Sequence, residues 1–271
     1  MLSLDRRRGQ STYGGMVEIK RKAALVTGAG KRIGRAVALD LAAHGWAVGV
    51  HYHRSRDDAD DVVREIEHRG GRAVALHADL LHESMVAALV GQAAERLGPL
   101  TLLVNNASCF ERDEVESVTR ESWDRHMEAN LRAPFVLIQD FVRRLPAGEH
   151  GLVVNMLDQR VWNLTPHFIS YTLSKAGLWT LTQTLAQALA PRVRVNAIGP
   201  GPTLRNERQT EDHFAQQAAA VPMQRSTAPA EICAAIRFLI DAPAVTGQMI
   251  ALDGGEHLGW AQPSRGFVPV E

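Results

Sequence analysis

Short apolar runs alternate with helix-period segments along most of the chain, and this alternation limits the fold more than any other feature. Lys22–Thr27 is short, apolar and followed by glycine, as a buried strand would be. Arg32–His44 then sets Ile33, Val37 and Leu41 at four-residue steps on one helical face, and Gly45 stops it. The pair repeats as strand Trp46–His51, helix Asp57–Arg69, strand Arg72–His77, helix His82–Leu97 and strand Leu100–Asn105. Gly70-Gly71 and Gly98-Pro99 end the two helices. Glu121–Leu145 carries Met127, Leu131, Phe135, Ile138 and Val142 and reads as one long helix kinked at Pro134. Strand Gly151–Asn155, helix Ser170–Ala190, strand Val193–Ala197, helix Pro229–Ile240 and strand Met249–Leu252 follow. Residues 199–226 read as irregular and polar.

Apolar strands joined by helices imply a parallel sheet covered on both faces. The expected fold is α/β, a single doubly wound Rossmann-type domain of about seven strands, with ligands at the carboxyl ends of the strands. A chain of 271 residues suits one such domain, placed at residues 21–258. Residues 1–20 read as a flexible tail, because no apolar core follows Arg6-Arg7-Arg8 as an export signal requires. Residues 259–271 read as a C-terminal extension that covers a neighbouring subunit.

Thirty Lys and Arg balance thirty Asp and Glu, so charge gives no case for nucleic acid or an anionic membrane as partner. Two cysteines, Cys109 and Cys233, exclude a disulfide framework and point to a cytoplasmic location. Apolar stretches stop well short of the roughly 20 residues of a membrane helix. Cys and His show no zinc-type spacing, and His51 and His53 alternate to opposite faces of a strand, so no metal is expected.

Thr27-Gly28-Ala29-Gly30-Lys31-Arg32-Ile33-Gly34 follows the first strand and opens the first helix. Glycines let the backbone turn sharply and approach a pyrophosphate, and a helix N-terminus offers free N–H groups and a positive dipole end. Gly28, Lys31, Arg32, Ile33 and Gly34 are therefore candidate nucleotide contacts. The spacing is not G-x-G-x-x-G, and Arg32 stands where many such loops have another glycine. A site for NAD usually has an acid about 20 residues further on, for the ribose hydroxyls. Here the second strand ends His51-Tyr52-His53-Arg54-Ser55, without one. His53, Arg54 and Ser55 suit a 2′-phosphate, to which arginine makes charge-assisted paired contacts. NADP(H) is the expected cofactor, and a solvated basic turn is the alternative.

Tyr171-Thr172-Leu173-Ser174-Lys175 opens a later helix, where the four-residue step puts Lys175 beside Tyr171. A nearby ammonium favours the phenolate and lowers a tyrosine pKa, which suits a general acid near neutral pH.

Together with the glycine loop, these residues resemble the short-chain dehydrogenase/reductase family over roughly residues 20–258. The likeness rests on Thr27-Gly28 to Gly34, Asn105-Asn106-Ala107, Asn130, Tyr171 with Lys175, Pro200-Gly201 and Asp253-Gly254-Gly255. It implies that Tyr171 donates the proton and that Lys175 orients the nicotinamide ribose and tunes Tyr171. It implies that Asn130 supports a proton-relay water, that Asn106 and Ala107 border the adenosine and that Asp79-Leu80 meets the adenine. Pro200 and Gly201 join the implied cofactor contacts. It also suggests a homotetramer built on the long helices at 121–145 and 170–190.

Two departures narrow the resemblance. The family's usual serine lies thirteen residues before the tyrosine, where this chain has Asp158, and Arg32 replaces the loop's middle glycine. Together they resemble the pteridine reductases and the related dihydromonapterin and dihydrofolate reductases. The matching segments are Gly30–Gly34, His51–Ser55, Asn106–Phe110, Asn155–Asp158 and Val221–Arg225.

Carbonyl reduction develops an oxyanion that a serine hydroxyl aids and an aspartate anion repels. Reducing a ring C=N instead needs a proton at nitrogen, which a carboxyl beside Tyr171 can relay. A pterin also presents an N–H and amino edge that a carboxylate accepts. The alternative for Asp158 is a loop or helix-cap carboxylate. The same resemblance makes Phe110 a stacking wall for the ring, against the alternative of a core phenylalanine. It sets Arg32 on the pterin or the cofactor phosphates, against the alternative of a surface arginine. Ser108 would touch both cofactor and substrate, and Thr203 and Leu204 would belong to the loop that closes over substrate. The implied activity is NADPH-dependent reduction of a pterin or folate. The rivals are a generic NADP-dependent carbonyl reductase and a non-catalytic NADPH-binding sensor or scaffold.

Overall fold

The computed structural model describes residues 22–205 and 209–259, so the tail expected at 1–20 and all but Gly259 of the extension expected at 259–271 lie outside the described residues. Among the described residues the seven strands are β1 (Ala23–Val26), β2 (Ala47–Tyr52), β3 (Ala73–His77), β4 (Leu102–Asn105), β5 (Gly151–Met156), β6 (Val193–Pro200) and β7 (Met249–Leu252). Between them run α1 (Arg32–Ala43), α2 (Arg56–His68), α3 (Glu83–Leu97), α4 (Arg120–Met127), α5 (Ala133–Arg144), α6 (Ile169–Leu189), α7 (Glu211–Ala220) and α8 (Pro229–Asp241). All strand pairs are parallel, in the order β3-β2-β1-β4-β5-β6-β7. This is the expected Rossmann-type α/β domain. β1 pairs with β2 on one side and β4 on the other, so strand order reverses there and a crevice opens at the carboxyl ends.

Alternation along each strand divides the core. Ala24 and Val26 face Val37, Leu41, Val62 and Ile236, while Leu25 and Leu103 face Leu89, Val90, Leu137 and Phe141. Leu25 and Phe141 are fully buried, so truncating either to alanine costs about 2–5 kcal/mol.

Two expectations are corrected. The segment 121–145 is not one helix kinked at the proline: α4 ends at Met127, and Glu128–Arg132 forms a π turn before α5. There the Ala133 N–H donates to the Glu128 carbonyl five residues back. Pro134 lies in the first turn of α5 and has no N–H for the Asn130 carbonyl, so the standard ladder cannot pass through. Residues 199–226 are not wholly irregular, because α7 lies within them. Thr210 caps it by accepting the His213 N–H at 3.2 Å, and Glu211 and Asp212 suit its N-terminal dipole. No residue of α7 is buried, so it has no apolar stripe to announce it.

Candidate active site

The turn from β1 into α1 is shaped by what it excludes. Gly28 has φ +62°, and a Cβ on Gly34 would stand 2.6 Å from Asn106 Nδ2 and run into the Gly28 carbonyl. Asn106 bolts this turn to the end of β4: its Nδ2 donates to the Thr27 carbonyl at 2.8 Å. The backbone N–H groups of Asn106 and Ala107 both donate to Thr27 Oγ1 at 2.9 Å. The Gly28 N–H donates to His51 Nδ1 at 3.0 Å, so the other ring nitrogen carries the proton and donates to the Ala78 carbonyl at 3.1 Å. Burial pushes the His51 imidazole down to about 4, which keeps it neutral. Lys31, at the N-cap of α1, makes no side-chain cap to the first-turn N–H groups.

Arg32 holds φ +53°, a left-handed conformation at the position where related loops have glycine. Its guanidinium reaches across the crevice and donates to the carbonyls of Leu204 and Arg205 at 2.8 and 2.6 Å. Arginine here ties the phosphate-side turn to the loop after β6.

Further candidate site residues converge from the segment after β5 and from α6. Tyr171 Oη donates to Asp158 Oδ2 at 2.9 Å, while Asp158 Oδ1 accepts the Arg160 N–H at 2.8 Å. Asp158 therefore caps a short turn with one oxygen and meets the tyrosine with the other. Lys175 Nζ lies 5.8 Å from the centre of the Tyr171 ring and donates to the Met156 carbonyl at 2.8 Å. Burial pulls Lys175 down to about 8, with the Asp158 charge opposing that fall. Phe110 stacks on Phe168 with centroids 4.8 Å apart and meets Tyr171 edge-on at 4.6 Å. Arg160 lies over both phenylalanine rings.

Two cavities share Arg32, Ile33, Asn106 and Ser108. One of about 620 Å³ is lined by Gly28, Lys31, Gly34, His53, Arg54, Ser55, Asp79, Leu80 and Ala107. The other, about 280 Å³, is lined by Phe110, Asp158, Tyr171, Lys175, Pro200, Gly201, Thr203 and Leu204. A larger hollow of about 790 Å³, among Lys22, Trp46 and Gly98, lies at the opposite strand ends and collects none of the motif residues.

A family model described as short chain dehydrogenase matches residues 22–215. The chain belongs to the short-chain dehydrogenase family. Among solved structures, FolM alternative dihydrofolate reductase 1 from Brucella canis, complexed with NADP, is 47% identical with a TM-score of 0.88, covering 93% of this chain and 100% of that one. The angucycline C-6 ketoreductase LanV with bound NADP is 33% identical with a TM-score of 0.81, covering 88% of this chain and 96% of that one. The 3-oxoacyl-[acyl-carrier-protein] reductase FabG of Staphylococcus epidermidis is 31% identical over 242 residues, 88% of this chain and 99% of that protein.

In this short-chain dehydrogenase, every expected contact residue except Asn130 lines one of the two shared cavities. Asn130 is fully buried in the π turn, where its Oδ1 accepts the Cys109 N–H at 2.8 Å and its Nδ2 donates to Ser174 Oγ at 3.1 Å. Thr203 turns its hydroxyl back onto the Gly201 carbonyl, at 3.0 Å. His53 stands 3.4 Å from Asp79, and this pair joins the ends of β2 and β3. Sequence reasoning missed Gln209, Phe214 and Gln217, which wall the smaller cavity from α7 and its approach. The Thr210-Glu211-Asp212 start was their only local signal. It also missed Asp113, His126 and Ser170, which lie buried behind Phe110 and Tyr171.

Proposed function

We propose that this chain uses NADPH to reduce a pteridine ring, in a dihydropterin or a dihydrofolate. One observation carries the reading: the Tyr171 hydroxyl donates to the Asp158 carboxylate at 2.9 Å, beside a cavity walled by Phe110. The larger cavity fits the cofactor, because glycine clearance, first-turn N–H groups and the Arg54-Ser55 edge suit a pyrophosphate and a 2′-phosphate. Bound there, NADPH supplies the hydride.

Tyr171 delivers the proton to the ring nitrogen, so that C=N becomes CH–NH. Lys175, held by the Met156 carbonyl, lowers the cost of the phenolate left behind. Asp158 accepts the N–H and amino edge of the ring, takes up a proton from solvent and passes it back to the Tyr171 phenolate. Ser108 and Arg32 line both cavities, where they hold ring and cofactor together. Gly28, Lys31, Ile33, Gly34, Asp79, Leu80, Asn106, Ala107, Pro200 and Gly201 contact the cofactor, and Asn130 supports the proton-relay water. Likeness to the Brucella canis FolM reductase supports this reading. The unit is a homotetramer on α4–α5 and α6, in the cytoplasm.

Carbonyl reduction is the second reading, favoured by likeness to the LanV ketoreductase and the FabG reductase. The experiment follows NADPH consumption with dihydrobiopterin, dihydromonapterin, dihydrofolate and a ketone panel, using wild type, Asp158→Ala and Asp158→Ser. Pterin or folate turnover that collapses in Asp158→Ala supports the first reading. Ketone turnover that survives the loss of Asp158, and rises with serine there, replaces it with the second.

A further inference from the structure

Behind the aromatic wall lies a polar chain of three buried residues, none exposed by more than 2%. Its direction follows from one fixed donor. The Glu111 backbone N–H points at His126 Nε2, 3.1 Å away, and an N–H can only donate. Nε2 therefore carries no proton, and the neutral ring has its proton on Nδ1. That proton goes to Ser170 Oγ at 2.6 Å, and the Ser170 hydroxyl donates in turn to Asp113 Oδ2. The remaining Asp113 oxygen accepts the Ser170 N–H at 3.2 Å, and the Asp113 carbonyl accepts the Phe168 N–H at 2.8 Å.

Both ends of the chain touch site elements. Glu111 directly follows Phe110. Ser170 directly precedes Tyr171 in the first turn of α6, whose N-cap is Phe168, a residue with no side-chain cap of its own. Asp113 thus supplies the missing cap from 57 residues away and sets its charge at the positive end of the helix. Burial holds His126 below the usual imidazole range, against the pull of Asp113 and Glu111.

We propose that His126, Ser170 and Asp113 are positioning residues, a one-directional hydrogen-bond chain that locks the Phe110 loop onto the Tyr171 turn and so sets the width of the substrate slot. The proposal rests on the reduction chemistry assigned to Tyr171, but its spectroscopic arm needs no substrate.

Nitrogen-15 NMR of the wild-type histidine rings, with His126→Gln to assign the signal, reports the ring directly. The expected result is a neutral His126 protonated on Nδ1; a ring protonated on Nε2, or an imidazolium at neutral pH, overturns the proposal. The kinetic arm compares Ser170→Ala, Asp113→Asn and His126→Phe with His126→Gln. KM is read on whichever substrate class the wild-type chain turns over, so a failed pteridine reading leaves this arm intact. The first three variants should raise the substrate KM about tenfold, while the Kd for NADPH stays within about twofold. His126→Gln should recover most of the loss, because one amide can accept from Glu111 and donate to Ser170. A lower Tm with an unchanged KM in all three would reduce the chain to core packing and overturn the proposal.

Discussion

The two cavities at the carboxyl ends of the strands are built by different means. The cofactor-side cavity is shaped by main chain and by missing side chains: Gly28 turns left-handed, Gly34 leaves room, and Thr27 and Asn106 pin the backbone. The substrate-side cavity is shaped by side-chain chemistry from distant segments. Asp158 meets Tyr171, Phe110 meets Phe168, and Arg32 reaches Leu204 across 172 residues of sequence. One half is limited by volume, the other by hydrogen-bond partners. A methyl group should therefore damage the first more than a lost polar atom, and the reverse should hold in the second.

The largest effect is expected on the polar side. Tyr171→Phe removes the proposed proton donor and should lower kcat by about 10²–10⁴-fold while NADPH affinity, measured by calorimetry, stays near wild type. If affinity collapsed with it, the two halves would be one cooperative unit. Gly34→Ala is the converse probe. Its Cβ would press on Asn106 and the Gly28 carbonyl, so NADPH binding should weaken about 10–100-fold, an overpacking cost of about 1–3 kcal/mol. An unchanged Kd would mean that the cradle yields.

A third prediction concerns pH. Burial pulls the Lys175 pKa from its ordinary 10.5 down to about 8. Between those values the unfolded chain holds a proton that the folded chain does not, so stability rises with pH across that window. Wild-type Tm, measured relative to Lys175→Met, should climb from pH 8 to 10.5. In the same protein kcat/KM should fall above pH 8 as the ammonium is lost, and Lys175→Arg should move that limb upward. The smallest effect belongs to Arg32→Gly. Glycine relieves a left-handed backbone that costs about 1–2 kcal/mol, but two bonds to Leu204 and Arg205 go with the guanidinium. Tm should shift by only a few degrees, on the scale of about 1 kcal/mol. Limited proteolysis should cut the loop after β6 faster than in wild type, and an unchanged cleavage rate would show that Arg32 is no clasp.

Residues whose place in the candidate site was legible in the sequence share a local signal. Gly28 and Gly34 follow a strand and open a helix, and Lys175 follows Tyr171 by one helical step, so both motifs carry their geometry with them. Asp158 was legible only through the family resemblance, because it stands where the family's usual serine lies, thirteen residues before Tyr171. The rest lacked such a mark. Asn130 had a name but no place, because the π turn that buries it depends on how Pro134 and the neighbouring helices resolve the broken ladder. α7 was lost because it shows no apolar stripe. Asp113, His126 and Ser170 look like ordinary polar residues until the fold removes water from all three.

By itself the sequence determined the β-α order, the parallel sheet, the glycine cradle and the Tyr171–Lys175 pair. Each depends on spacing along a chain whose strand and helix periods are set by backbone geometry. Only the tertiary structure decided that Phe110 stacks on Phe168, that Arg32 reaches the loop after β6, and that Asp113 caps the helix of Tyr171. Those contacts join segments whose separation has no period, and hydrogen bonds select their partners only after burial has removed water as a competitor.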